Sequence, residues 1–254
     1  EAAPRGFDDA VPVTLRERIG RIQEDLTVGP DVTGVVPLRA NACLASMGPM
    51  LGSRGFTVDA TERDRLVRSD GAEAGRRIRL LRNGKDLVAT PRGLHAIDMA
   101  GLDEAELRQR FPAVYQWLLE RVYPERAQNR DPKLRSQWWL FRRANSLWRS
   151  MLEGLLRYVV TVETAKHRVF ILLDAEVIGE HGTISFGFDR ADYLGVLSSR
   201  PHVVWALAAG GRLGVGNDPR YNKTRCFDPF PFPAADGVQT ARIRDLGESL
   251  DAHR

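Results

Sequence analysis

The sequence predicts an α+β fold: a mixed, mostly antiparallel sheet with packed helices, flanked by helical segments. Two β-branched runs, 157–163 and 168–174, are separated only by residues 164–167, the spacing of paired antiparallel strands. Amphipathic helical patterns stand on both sides of these runs, and Gly- and Pro-rich stretches at 29–58 and 228–233 interrupt any continuous helix. With 43% hydrophobic and 28% charged residues in 254, the chain can bury a core, which excludes a disordered tail.

The elements follow in order. Leu15, Ile19, Ile22 and Leu26 recur at helical spacing over 13–26, where Thr14 and Glu17 fit a capping box. Residues 29–58 read as loops and short strands. Asp59 caps a helix over 60–68, the alternating run 76–81 is a strand, Asn83-Gly84 is a turn, and 94–97 is a further strand. A helix over 103–122 is interrupted at Phe111-Pro112. Beyond it come a short aromatic strand at 138–141, a helix over 146–156, the two paired strands, a strand at 184–188 and helices over 190–197 and 201–208. The proline run 228–233 excludes both helix and central strand, and 240–253 begins another helix. The organisation expected is a helical connector (1–28), one main domain (29–236) and the start of a C-terminal helix (237–254). The opening at Glu1 reads as the continuation of a longer polypeptide.

Several function classes are excluded by what the sequence lacks. No stretch approaches the roughly 18 apolar residues of a membrane span, and no signal-peptide pattern opens the chain, so a cytoplasmic protein is expected. Cys43 and Cys226 are far apart and read as buried thiols, not a disulfide or zinc site. The five histidines make no metal-binding pair, and no G-x-S-x-G elbow occurs. Asp131-Pro132-Lys133 has no partner acid for a nuclease. Asp218-Pro219-Arg220-Tyr221 approaches the Asn/Asp-Pro-Pro-aromatic loop that holds a flipped adenine, but Arg replaces the second proline. No Gly-rich strand-to-helix turn for a methyl donor precedes it. Neither catalytic residues nor a cofactor nor a metal is assigned to this chain.

Charge is more informative than its sum of +4. Residues 121–168 hold eleven Lys/Arg against four Asp/Glu, whereas the rest of the chain is close to neutral. A local basic block is what a polyanion-binding face requires, since neutralised phosphates release counterions. Arg outnumbers Lys thirty-three to four, as a GC-rich genome would also produce. Within and after the block stand Gln137-Trp138-Trp139-Leu140-Phe141-Arg142-Arg143, Arg157-Tyr158, Lys166-His167-Arg168 and Asn217-Asp218-Pro219-Arg220-Tyr221. Arg, Lys, Asn and aromatic side chains clamp phosphates and read base edges. The tryptophans also suit a core. Lys166, His167 and Arg168, between two apolar strands, are expected to project from one edge, where a phosphate would satisfy them.

The order Trp138-Trp139 with Arg142-Arg143, Arg157-Tyr158-Val159-Val160-Thr161, Lys166-His167-Arg168-Val169-Phe170, Leu194-Gly195-Val196-Leu197-Ser198-Ser199, then Asn217-Asp218-Pro219-Arg220-Tyr221 and Phe227-Asp228-Pro229-Phe230-Pro231-Phe232-Pro233 resembles a known family. It is similar to the C-terminal region of MmeI-like, type IIL restriction-modification adenine-specific DNA methyltransferases and related phage-defence methyltransferases. The similarity begins near Val35 and is strongest from Trp138 to Pro233.

That resemblance implies that 29–236 is a DNA target-recognition domain and that 1–28 connects it to a missing upstream methyltransferase domain. The parent would use S-adenosylmethionine to methylate adenine N6, in some members with a nuclease domain. Double-stranded DNA and the upstream domain are the implied partners. The residues expected to contact DNA are Arg142, Arg143, Lys166, His167, Arg168, Asn217, Arg220, Tyr221, Asn222, Lys223 and Arg225. Residues 217–225 read as an exposed polar loop held at both ends, 217–221 shaping it and Asn222, Lys223 and Arg225 reading bases. An alternative stays open: a module that docks the methyltransferase or nuclease domain without reading bases, its arginines ordinary solvated surface.

Overall fold

The computed structural model describes residues 34–213 and 218–253, together with the single positions 17, 19 and 32. Apart from positions 17 and 19, the expected 13–26 helix lies outside the described residues, as does Asn217. Backbone contacts group Val35–Arg254 into one unit and Glu1–Gly34 into another. Among the described residues, every helix and strand belongs to the Val35–Arg254 unit.

The first half runs β1 (Ala45–Met47), β2 (Thr57–Val58), α1 (Ala60–Asp70), α2 (Ala72–Arg77), β3 (Ile78–Arg82), α3 (Gly84–Val88), β4 (His95–Ile97), α4 (Glu104–Arg110), α5 (Pro112–Arg121), α6 (Tyr123–Ala127) and α7 (Pro132–Ser136). The second runs α8 (Ser146–Leu152), β5 (Arg157–Val162), β6 (Phe170–Asp174), β7 (Ile178–Gly179), β8 (Thr183–Phe186), α9 (Ala191–Ser198), α10 (Arg200–Ala209), β9 (Gly211–Leu213), β10 (Asp218–Arg220) and α11 (Gly237–Ala252). This is the α+β class the sequence predicts.

Local chemistry sets the helix ends. Asp59 accepts from the Glu62 amide at 2.8 Å, opening α1. Asp103 and Glu106 form a reciprocal capping box at α4. The break at Phe111-Pro112 is present: Pro112 takes the first position of α5, and Asp70 accepts from the Ala113 and Val114 amides at 3.1 and 2.8 Å.

Two four-stranded sheets result, ordered β1-β8-β5-β6 and β2-β4-β3-β7, with β9-β10 as a separate hairpin. All pairings are antiparallel except β3 with β7. β5 is central in its sheet, and its alternation explains its continuous apolar text. Tyr158 and Val160 enter a core built with α1, α4 and α5, while Val159 enters a second core with Phe170, Phe186, Leu194, Leu197, Tyr221 and Phe227. A strand buried on both faces loses the polar alternation of a half-exposed one.

Three local expectations are corrected. Asn83-Gly84 is not a hairpin turn: the Asn83 side chain accepts from the Lys85 and Asp86 amides and Asp86 answers at the Asn83 amide, so a capping box opens α3. Residues 138–141 form a turn, not a strand. Their rings fill the core, Trp138 edge-on to Tyr115 and Tyr123, and Trp139 donates its Nε1–H to Leu102 O at 3.0 Å. Aromatic β propensity has no force where no partner strand is available. Cys226 is buried and its thiol is pushed up to about 11 by burial, but Cys43 is exposed, in a turn where its φ is left-handed at 61°.

Candidate nucleic-acid interface

Strand direction brings the candidate segments together. Antiparallel pairing of Val162 with Thr183, Thr161 with Phe170, and Met47 with Ile184 places the ends of β5 and β1 and the starts of β6 and β8 at one edge. The parallel β3–β7 pair ends there too, Arg82 opposite Gly179. At this edge the connecting loops bond to one another. Met50 and Arg143 exchange backbone bonds at 3.0 and 3.1 Å, His181 N donates to Pro49 O at 2.8 Å, Glu163 N to Gly182 O at 2.8 Å, and Ala165 N to Pro219 O at 3.2 Å. Gly48 passes so close to the 179–180 backbone that a Cβ would meet Gly179 O at 1.8 Å. Only glycine lets β1 reach the loop after β7.

Arg142 and Arg143 sit on this ladder. Asn145, left-handed at φ 50°, fixes their segment by donating to Met47 O at 2.6 Å and capping α8 through the Trp148 amide. Both guanidiniums are exposed and have no partner among the described residues. The same holds for Lys166 and His167 in the β5–β6 turn. These four side chains stand open to solvent at the same edge.

Arg168 does not project with them. Its guanidinium turns inward, donating to Val162 O, to Thr161 Oγ1 at 3.3 Å and to Pro219 O at 3.0 Å, over the Tyr221 ring. Burial pushes its pKa down. It satisfies the β5 terminus, where carbonyls would otherwise lack donors.

The segment after Gly216 is likewise not the exposed loop expected. Residues 218–220 pair with β9, and 223–227 form a single π-helical turn. Arg220 is bound to Glu163 Oε1 at 2.9 and 2.7 Å. Tyr221 is 1% exposed and lies against Phe170, Phe186 and His202. Asn222 caps Thr224, and Lys223 is held by both oxygens of Asp228 at 3.0 and 2.8 Å. Of the three expected base readers, Arg225 alone is exposed with a guanidinium that has no partner among the described residues.

The edge is concave. A cleft of about 510 Å³ is lined by Lys85, Val162, Glu163, Lys166, Glu180 and His181. It shares Val88, Ala165 and Lys166 with a larger one of about 920 Å³ that reaches His167, Arg82 and the apolar residues of β6. Lys85, exposed and without a partner among the described residues, and His181 were not anticipated. The Asn-x-x-Asp spacing of 83–86, a capping box, was the signal that Lys85 opens a helix at this edge.

Arg130 is exposed and its guanidinium has no partner among the described residues, but four other arginines of the basic block are engaged. Arg149 binds Asp98 at 2.8 and 3.0 Å, Arg157 binds Glu248, Arg135 donates to Asn129 O and Arg130 O, and Arg121 lies over the Trp117 ring beside Glu120. Asp131 caps α7. Among the described residues no group of His, Cys, Asp and Glu is placed to hold a metal, and no helix is long and apolar enough to cross a membrane.

No protein-family model matches this sequence, and no curated protein matches it. Among solved structures, the chain is similar to the type IIL restriction-modification enzyme MmeI, determined in complex with DNA, with a TM-score of 0.69 and 18% identity. The likeness covers 90% of this chain and 30% of that one, so the chain spans less than a third of the neighbour's length, and what the two share at this identity is the fold.

Proposed function

We propose that this chain is a DNA target-recognition module of a restriction-modification enzyme, holding duplex DNA against the strand-end edge. The observation that carries the reading is the convergence there of Arg142, Arg143, Lys166 and His167, exposed and without partners among the described residues. The fold it shares with an enzyme solved on DNA supports the same reading. Phosphate contacts by such side chains supply affinity, and base-edge contacts supply specificity.

In this reading Arg225 is the principal base reader, since Asn222 and Lys223 are committed to Thr224 and Asp228. Methyl transfer from S-adenosylmethionine to adenine N6 belongs to a further domain of the parent enzyme, to which this module presents DNA. The test is selection of a random duplex library by the chain. Enrichment of one short motif, relaxed at one base position by Arg225→Ala at a cost of about 1–3 kcal/mol against the correct base, is expected. Binding without any motif would reduce the module to a backbone clamp, and no binding at low salt would reject the reading.

A further inference from the structure

Arg126 on α6 is 1% exposed and faces no carboxylate at hydrogen-bonding distance. Its Nη2 donates to Leu51 O at 2.9 Å and its carbon centre lies 5.6 Å from the Phe56 ring, but Nε and Nη1 have no partner among the described residues. Glu125 gives only a Coulombic attraction, opposed by Arg142. A guanidinium stays charged in a protein, so this is a desolvated cation whose compensation is incomplete.

Immediately beside it the backbone turns at Gly52 with φ +75°. A Cβ there would lie 2.6 Å from Arg142 Cβ and 3.2 Å from Arg126 Nη2, so only glycine lets the chain pass between the two arginines. Gly52 in turn walls a cleft of about 790 Å³ with Ser53, Arg54, Arg92 and Arg121. Arg92 is held by Asp86 at 2.9 Å and Arg121 by the Trp117 ring, so both are oriented in advance. Arg54 is exposed and has no partner among the described residues. Two acids also line the cleft, Glu125 and Glu180, and burial pushes the Glu180 carboxyl upward from its ordinary value. Counting Arg126 and Arg142 behind the Gly52 wall, five arginines stand around this cleft against Glu125, Glu180 and the arginine partners Asp86 and Glu120.

We propose that the Gly52–Arg54–Arg92–Arg121 cleft binds a phosphodiester of the DNA backbone. The proposal rests on the DNA-binding reading above. A tetrahedral oxyanion accepts forked arginine donors and supplies the negative charge that Arg126 lacks. The position suits a backbone rather than an isolated anion, because this cleft shares Asn83 and Glu180 with the one that contains Lys166 and His181. A strand lying along the edge would set one phosphate here and others at Arg142, Arg143 and Lys166.

Two measurements on the full chain test it: the salt dependence of duplex DNA affinity, and thermal unfolding with and without inorganic phosphate. Arg54→Gln, an exposed change, should leave the fold intact and flatten the slope of log K against log salt by about 0.9. Arg126→Met should flatten that slope too, and should unfold no earlier than wild type when phosphate is absent. If Arg126→Met does not fold, Arg54→Gln alone decides. Steep, salt-sensitive DNA binding whose slope Arg54→Gln does not change would overturn the site while leaving the DNA-binding reading intact. No DNA binding by wild type would overturn that reading, and the phosphodiester assignment with it. In that case a phosphate-induced rise in Tm that Arg54→Gln abolishes would make the cleft a free-phosphate site.

Discussion

His202, one of the five histidines that make no metal-binding pair in the sequence, serves the fold. It is 0% exposed, and its Nδ1 lies 2.7 Å from Leu197 O, so that nitrogen carries the proton and Nε2 accepts from the Tyr221 hydroxyl at 3.1 Å. Burial lowers its pKa to about 4. The unfolded chain binds a proton near pH 6.5 and the folded chain does not, so this residue costs stability as pH falls from about 6.5 to 4. Between pH 7.5 and 5 the loss should be about 2 kcal/mol in denaturant unfolding, and His202→Gln should lose that part of the pH dependence. An unchanged profile in the variant would show that the ring is protonated in the fold. Tyr221 and Arg168 belong to the same buried set, which is why their motif types misled: Lys166-His167-Arg168 reads as three projecting cations, and only side-chain packing distinguishes the third.

At the scale of elements, patterning was most legible where one local rule acted alone. The Asp59 cap, the Pro112 break and the β5–β6 pair are read directly from residue spacing, whereas Asp103, placed inside its helix, proves to cap it. The turn at 138–141 was not, because its aromatic content fits strand and core equally, and the choice depends on which neighbours exist. The packing of α9 on α11 was also hidden. Gly195 and Gly247 lie at their crossing, where a Cβ on Gly247 would stand 2.0 Å from Ala191 O and one on Gly195 would stand 2.8 Å from Ile243 Cγ2. Neither glycine has a positive φ, so backbone approach rather than conformation requires them. Gly247→Ala should therefore destabilise by about 1–3 kcal/mol despite its better helix propensity, read as a lowered Tm. A raised Tm would mean that α11 does not dock this closely.

For the whole molecule, the basic excess of 121–168 was a correct composition and an incomplete guide to surface charge. Arg126, Arg149, Arg157 and Arg168 are drawn into the fold, whereas Lys85 and His181, outside the block or apart from its motifs, join the edge. Long-range topology decides this: the edge exists because six strand termini meet there, which no window of sequence displays. The central claim is that this edge carries DNA, and salt dependence of duplex affinity tests it most directly. Each phosphate contact contributes about −0.9 to the slope of log K against log salt. Substituting Arg142, Arg143 and Lys166 together by Gln should flatten the wild-type slope by roughly three units on every duplex sequence alike, with Tm unchanged because none of the three side chains has a partner among the described residues. A slope unchanged by the triple substitution, in a protein that still binds DNA, would contradict the account and move the DNA to another face.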